Sequence, residues 1–164
     1  MQLGERVVVI GRGGADERPA AQRLAEITRR KLIRIDKHFW PVDRRPEPAQ
    51  HWARVQQDLA DHGSWVMDAD LGPFDVKEPL LGHPDEIWVL DFPLPTIVSR
   101  VLRYRGERRD FRVWAFRWHR EYLDHALATF TRDAPQVRVR VFRSPAEVGA
   151  ALDEVEAQTD AAAA

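Results

Sequence analysis

Apolar and polar positions alternate along the chain in blocks of two periods. Arg6–Ile10 (RVVVI) is a short continuous apolar run, the pattern of a strand buried on both faces. A glycine-rich turn follows, and Pro19 suits the first turn of a helix. Leu24 and Ile27 give that helix an apolar stripe, and Arg29, Arg30 and Lys31 complement its carboxyl end. Leu32–Ile35 predicts a second strand ending at Asp36, and the proline-rich stretch 41–48 a loop. Trp52, Val55 and Leu59 share one face of a helix that stops at Gly63. Ser64–Met67 predicts a third strand ending at Asp68. Residues 69–85, rich in Gly and Pro, read as mostly loop, and Glu86–Leu90 as a fourth strand ending at Asp91.

The alternation continues in the second half. Ile97, Val98, Val101 and Leu102 have helical spacing. Trp114, Trp118, Tyr122, Ala126 and Phe130 recur every four residues, a stripe better explained as core than as a cofactor surface. Val137–Phe142 alternates Val with Arg, as a half-exposed strand does. Ser144-Pro145-Ala146-Glu147 is a capping box with Pro at the first helical position. Val148, Ala151, Leu152 and Val155 follow on one helical face, and residues 159–164 read as a disordered tail. Strands alternating with helices imply βαβ crossovers and a parallel sheet. Ligands of such sheets sit beyond the carboxyl ends of the strands. Those ends carry Gly11, Asp36, Asp68 and Asp91, although Asp also terminates strands simply because it favours turns.

Composition narrows the class. A chain of 164 residues forms one domain, and it buries roughly 70% of its unfolded surface without staples. With 44% hydrophobic residues it is not disordered throughout. It has no cysteine, which excludes a disulfide scaffold, thiolate metal sites and a cysteine nucleophile. No apolar run approaches membrane-spanning length, and the first residues lack signal-peptide form, so a cytoplasmic location is expected. The net charge of −1 conceals segregation. Residues 68–91 carry seven acids and one base, and residues 100–120 carry eight arginines and two acids. Such sorting marks a charged cleft or solvated helices.

The loop 11–19 (Gly-Arg-Gly-Gly-Ala-Asp-Glu-Arg-Pro) joins a buried strand to a helix. A dinucleotide fingerprint, G-x-G-x-x-G with a later acid, fits Gly11, Gly13 and Asp36 but puts Asp16 at the third glycine. A P-loop, G-x-x-x-x-G-K-[ST], fits Gly11 but puts Asp16, Glu17 and Arg18 at the second Gly, the Lys and the Ser/Thr.

Five segments in order tip the balance: VVVIGRGGADERP (7–19), IDKHFW (35–40), WVMDADLG (65–72), DEIWVLDFPLP (85–95) and RVLRYRGERRD (100–110). From about residue 6 to residue 152 the chain resembles the adenylate-kinase-like P-loop family known as DNA topology modulation proteins. The resemblance implies an α/β, three-layer nucleoside-kinase-like fold with a central five-stranded parallel sheet and a short arginine-rich lid. It implies one domain over residues 1–158, with the lid near 103–112. It further implies that Gly11, Arg12, Gly13, Gly14 and Arg18 belong to the cofactor loop, that Asp36 faces the phosphoryl acceptor, and that Asp68 helps hold Mg²⁺. Arg105, Arg108 and Arg109 match the lid arginines that touch the transferred group.

The departures bear on function. Glu17 replaces the phosphate lysine, Arg18 the metal-binding hydroxyl, and Pro19 has no N–H to offer. A carboxylate about 4 Å from a phosphate charge is repulsive by ~1–4 kcal/mol. The resulting expectation is a kinase-fold pseudoenzyme with a degenerate Walker A loop, binding a small-molecule or nucleotide ligand or a protein partner, and using ATP and Mg²⁺ in no ordinary way. The alternatives are an active nucleotide or small-molecule kinase with an unusual loop, or a repurposed cleft with Glu17 as base. A metal site of Asp36, His38 and Asp68 is a lesser variant. Neither membrane nor nucleic acid is expected as a partner. The Tyr104, Phe111, Trp114 and Trp118 interleaved with arginines read as a helix with aromatics inward.

Overall fold

The structure is a computed structural model that describes residues 2–11, 17–35, 38, 54–55, 57–59, 61, 63–69, 84–96, 117, 123, 127–128, 132 and 134–163. Its centre is a five-stranded, all-parallel sheet. The strands are β1 (Arg6–Gly11), β2 (Lys31–Arg34), β3 (Trp65–Asp68), β4 (Glu86–Leu90) and β5 (Arg138–Phe142). Their spatial order is β2-β3-β1-β4-β5. Two complete helices are described, α1 (Glu17–Thr28) and α2 (Pro145–Ala163).

The apolar run of β1 explains its central place. Val7 and Val9 point to one face, Val8 and Ile10 to the other, and all four are buried. β3 and β4 flank it and are buried along their whole length. β5 lies at an edge and is half-buried, as its Val-Arg alternation requires. On one face, Ala20, Ala21, Leu24, Ala25 and Ile27 of α1 and Val148, Ala151 and Val155 of α2 cover Val7, Val9, Val66, Trp88 and Leu90. The small alanines let the helices sit close to the sheet and to one another, and Arg23 joins α1 to Glu156 of α2 at 2.7 Å. On the other face, Val55, Leu59, Leu123, Leu127 and Ala134 pack over Val8, Ile10, Ile33, Trp65, Met67, Ile87 and Val89. The aromatic stripe at 114–130, the loop 41–48 and the helix predicted from Ile97 lie outside the described residues or nearly so.

Element ends follow local chemistry. The Ser144 hydroxyl accepts the Glu147 N–H at 3.3 Å, while the Glu147 carboxylate accepts the Arg143 N–H at 2.7 Å and the Ser144 hydroxyl at 3.2 Å. The capping box thus reaches back one residue further than the usual cap N–H. α2 then continues to Ala163, into the stretch expected as a tail. Alanine loses the least on entering a helix, and this run has neither Gly nor Pro to stop it. α1 stops at Thr28, short of the three basic residues expected to end it. Arg29 takes a left-handed φ of 53°. The Arg29 N–H donates to the Glu26 carbonyl and the Arg30 N–H to the Ala25 carbonyl, a Schellman cap built on arginine instead of glycine. Lys31 then opens β2.

The amino ends of the strands are tied by charge. Glu86, 1% exposed, accepts the Trp88 indole N–H at 2.8 Å and the Gly4 N–H at 3.3 Å. It also pairs with Arg138 at 2.8 Å and Arg140 at 3.7 Å. Arg140 lies 5.2 Å from the ring centres of Trp88 and Phe142. Arg30 donates to the Gly4 carbonyl, and Asp85 accepts both the Arg6 N–H at 2.9 Å and its guanidinium at 3.2 Å. Gly4 is obligatory on steric grounds: a Cβ there would lie 2.8 Å from the Asp85 Cβ.

Candidate functional site

Because all five strands run parallel, their carboxyl ends share one edge. β1 reaches that edge at Gly11, its last residue, which pairs with Leu90. β3 ends at Asp68, in register with Val9 on one side and Arg34 on the other. β4 ends one residue before Asp91. Asp68 lies beside β1 on one side, level with Val9, and Asp91 follows β4 on the other side, past the Gly11–Leu90 pair. Gly11, Asp68 and Asp91 each lie at or just past the end of a strand. Asp36 lies outside the described residues, just past the buried Ile35.

The two carboxylates are not open acids. Asp68 is buried, its side chain 6% exposed, and its Oδ2 accepts the Arg18 Nε–H at 3.3 Å. Asp91, 3% exposed, is held by Arg143, which precedes the cap of α2, while the Asp91 N–H donates to the Phe142 carbonyl at 2.9 Å. Both arginines are more than half exposed. A desolvated carboxylate requires a nearby positive charge, and at each strand end an exposed guanidinium supplies it. Arg143 was not singled out by sequence. Its only signal was a basic residue between a strand and a capping box, which becomes informative once β5 is seen beside β4.

α1 enters the edge at Glu17, with Arg18 as its second residue and Pro19 as its third. A helix amino terminus carries partial positive charge from unpaired N–H groups. An acidic residue such as Glu17 favours that end of a helix. Pro19 removes one N–H donor. Arg18, grouped by sequence with the cofactor loop, reaches Asp68 at the end of β3. Arg12, Gly13, Gly14, Arg105, Arg108 and Arg109 lie outside the described residues, as does the Glu17 side chain. His38 is exposed, its N–H bonded to the Ile35 carbonyl at 3.0 Å. Among the described residues no three His, Asp or Glu side chains form a metal cluster. No helix among them is long and apolar enough to cross a membrane.

An open groove of about 640 Å³ lies at the opposite end of the sheet, lined among others by Gly4, Arg6, Asp85 and Arg138. Its charged groups are those that tie the strands together. Burial by itself would raise the Asp85 carboxyl. The Arg6 side-chain and backbone hydrogen bonds and the Arg6 charge outweigh it, and hold the group below the usual carboxylate range. Burial also lowers Arg30, with Glu5, Asp85 and Glu86 opposing the shift.

The strand order decides between the two glycine-loop readings. In the dinucleotide-binding fold the second strand lies beside the first. Here β3 lies between them. The fold is the α/β nucleoside-kinase-like P-loop fold. The structure is similar to that of a shikimate kinase from Bacteroides thetaiotaomicron, with a TM-score of 0.61 at 12% identity, covering 96% of this chain and 99% of that one. It is also similar to an unliganded sugar kinase from Janibacter sp., at 0.55 and 16%, covering 95% and 92%. A gluconokinase from Sinorhizobium meliloti 1021 aligns at 0.51 and 13%, covering 98% and 94%. At these identities the likeness concerns the fold. No family model and no curated protein matches the chain.

Proposed function

We propose that this chain is a kinase-fold protein that does not carry out ordinary MgATP phosphotransfer and that acts by binding a small-molecule ligand or a protein partner at the carboxyl edge of its sheet. The observation that carries the reading is the opening of α1 on Glu17-Arg18-Pro19. In a P-loop NTPase the corresponding Lys cradles the phosphates and the Ser/Thr hydroxyl holds the metal. Here an acid stands at the first of those positions, a cation at the second, and a residue without an N–H follows. The order of motifs around the cleft, similar to that of the DNA topology modulation proteins, supports descent from an ancestor with an intact Walker A loop.

Calorimetric titration of the protein with ATP and Mg²⁺ tests the reading. Wild type gives no saturable heat in the micromolar range, and Glu17→Lys/Arg18→Ser gains affinity. Micromolar binding by wild type, accompanied by turnover of ATP on any hydroxyl acceptor, would reject the binding role in favour of a kinase with an unusual loop. In that case Asp36, Asp68 and the arginines at 105, 108 and 109 would carry the chemistry.

A further inference from the structure

The fold implies a divalent cation between the helix-opening hydroxyl and a strand-end Asp. Mg²⁺ requires oxygen donors near 2.0–2.1 Å in an almost octahedral shell. The donor set of this chain does not fit it. The residue at the hydroxyl position, Arg18, has five N–H donors and no acceptor, so it cannot ligate a cation. Its Nε–H is bonded at 3.3 Å to Oδ2 of Asp68, the oxygen-bearing partner that a metal would need. Asp68 is buried and requires a positive charge beside it, and the Arg18 side chain that supplies one is 54% exposed.

We infer that the Arg18 guanidinium is a built-in substitute for the divalent cation, so that Asp68 binds no metal and this cleft works without one. The charge arithmetic gives the substitution a consequence. An Asp with Mg²⁺ carries net +1, whereas Asp68 with Arg18 carries zero. Glu17 in place of a lysine removes two further charges. The edge has therefore lost the positive excess that a polyphosphate needs, which suits it to a ligand of low charge. This inference deepens the binding role proposed above and rests on the same cleft. The following test contains no nucleotide, so its outcome is independent of whether ATP binds.

Titration with Mn²⁺, followed by the electron paramagnetic resonance signal of the free ion, reads the site directly. Wild type and Asp68→Asn should leave the signal equally unchanged. Arg18→Ser, which frees the carboxylate and supplies a hydroxyl, should bind Mn²⁺ about tenfold or more tightly than wild type. Arg18→Ser/Asp68→Asn should lose that gain. Arg18→Lys, which keeps a cation beside Asp68, should not show it. Melting curves confirm that each variant is folded. The inference is overturned if wild type binds Mn²⁺ and Asp68→Asn abolishes it, a comparison that does not depend on Arg18→Ser folding. It is equally overturned if folded Arg18→Ser gains nothing, or if Arg18→Lys binds as Arg18→Ser does.

Discussion

The two ends of the sheet use buried acid and exposed arginine in different ways. At the amino ends, one carboxylate serves several elements at once. Glu86 holds the segment before β1 through Gly4, its own strand through Trp88, and the edge strand through Arg138 and Arg140. At the carboxyl ends Asp68 pairs with Arg18, and Asp91 with Arg143. The first arrangement fixes the register of strands far apart in sequence. The second fixes where a helix begins relative to a strand, and leaves a half-exposed guanidinium at the cleft. Buried acids at one end therefore join strand to strand, and at the other they join the start of α1 and the residue before the α2 cap to strand ends.

The contrast is broken most severely at Glu86. Glu86→Ala leaves two arginines and an indole N–H without their common acceptor and should cost about 3–5 kcal/mol. At roughly 2–4 °C per kcal/mol for a chain of this size, the melting temperature falls by about 10 °C or more. Thermal denaturation checks this, and a loss under 1 kcal/mol would mean that Glu86 is not the organising group of that end.

Gly4→Ala should destabilise by about 1–3 kcal/mol, because its Cβ would press on the Asp85 Cβ in a packed edge. Urea unfolding midpoints measure it.

Arg18→Gln, at the other end, should cost only about 1–2 kcal/mol, the penalty of a buried carboxylate that has lost a charged partner. Adding Asp68→Asn should restore part of it. A double variant as unstable as the sum of the singles would show that the two side chains are not coupled.

The smallest effect is on how stability falls in acid. The folded-state pKa of Asp85 is depressed, so its contribution is fully present above the unfolded value of about 3.9. It fades as pH falls through the lower folded value. Asp85→Asn should therefore flatten the loss of stability on acidification below about pH 4. Parallel acid limbs for the two proteins would contradict the Asp85–Arg6 linkage.

Much of the fold was legible because it rests on local pattern. The β1 and β4 segments are runs of Val, Ile, Leu and Trp too short for helices and too apolar for an exposed edge, and their strands came within a residue of prediction. The capping box announced α2, and the arginine alternation announced a half-exposed strand. The Arg29 cap was not legible: no residue type there advertises a left-handed conformation, and basic residues after a helix look like ordinary dipole partners. The face of α1 was legible in part: Leu24 and Ile27 are buried as their stripe predicted, whereas the role of Ala20, Ala21 and Ala25 depends on how close the helix lies to the sheet.

The residues near the cleft divide in the same way. Sequence placed Gly11, Asp68 and Asp91 at strand ends, because strand boundaries are written in hydrophobicity and turn chemistry. It also revealed Glu17, Arg18 and Pro19 as departures from a phosphate loop, because that motif is a fixed spacing. It gave no means to see that Arg18 reaches across 50 residues to Asp68, or Arg143 across 52 to Asp91. Such pairings depend on which strands become neighbours, and neighbour order in a parallel sheet is set by crossover packing instead of by local pattern. The amino-acid sequence by itself determined the strands, the two described helices and their order, and the acid, cation and proline that open α1. Only the tertiary structure decided which charges neutralise one another, because Coulomb energy and desolvation act on distances through space.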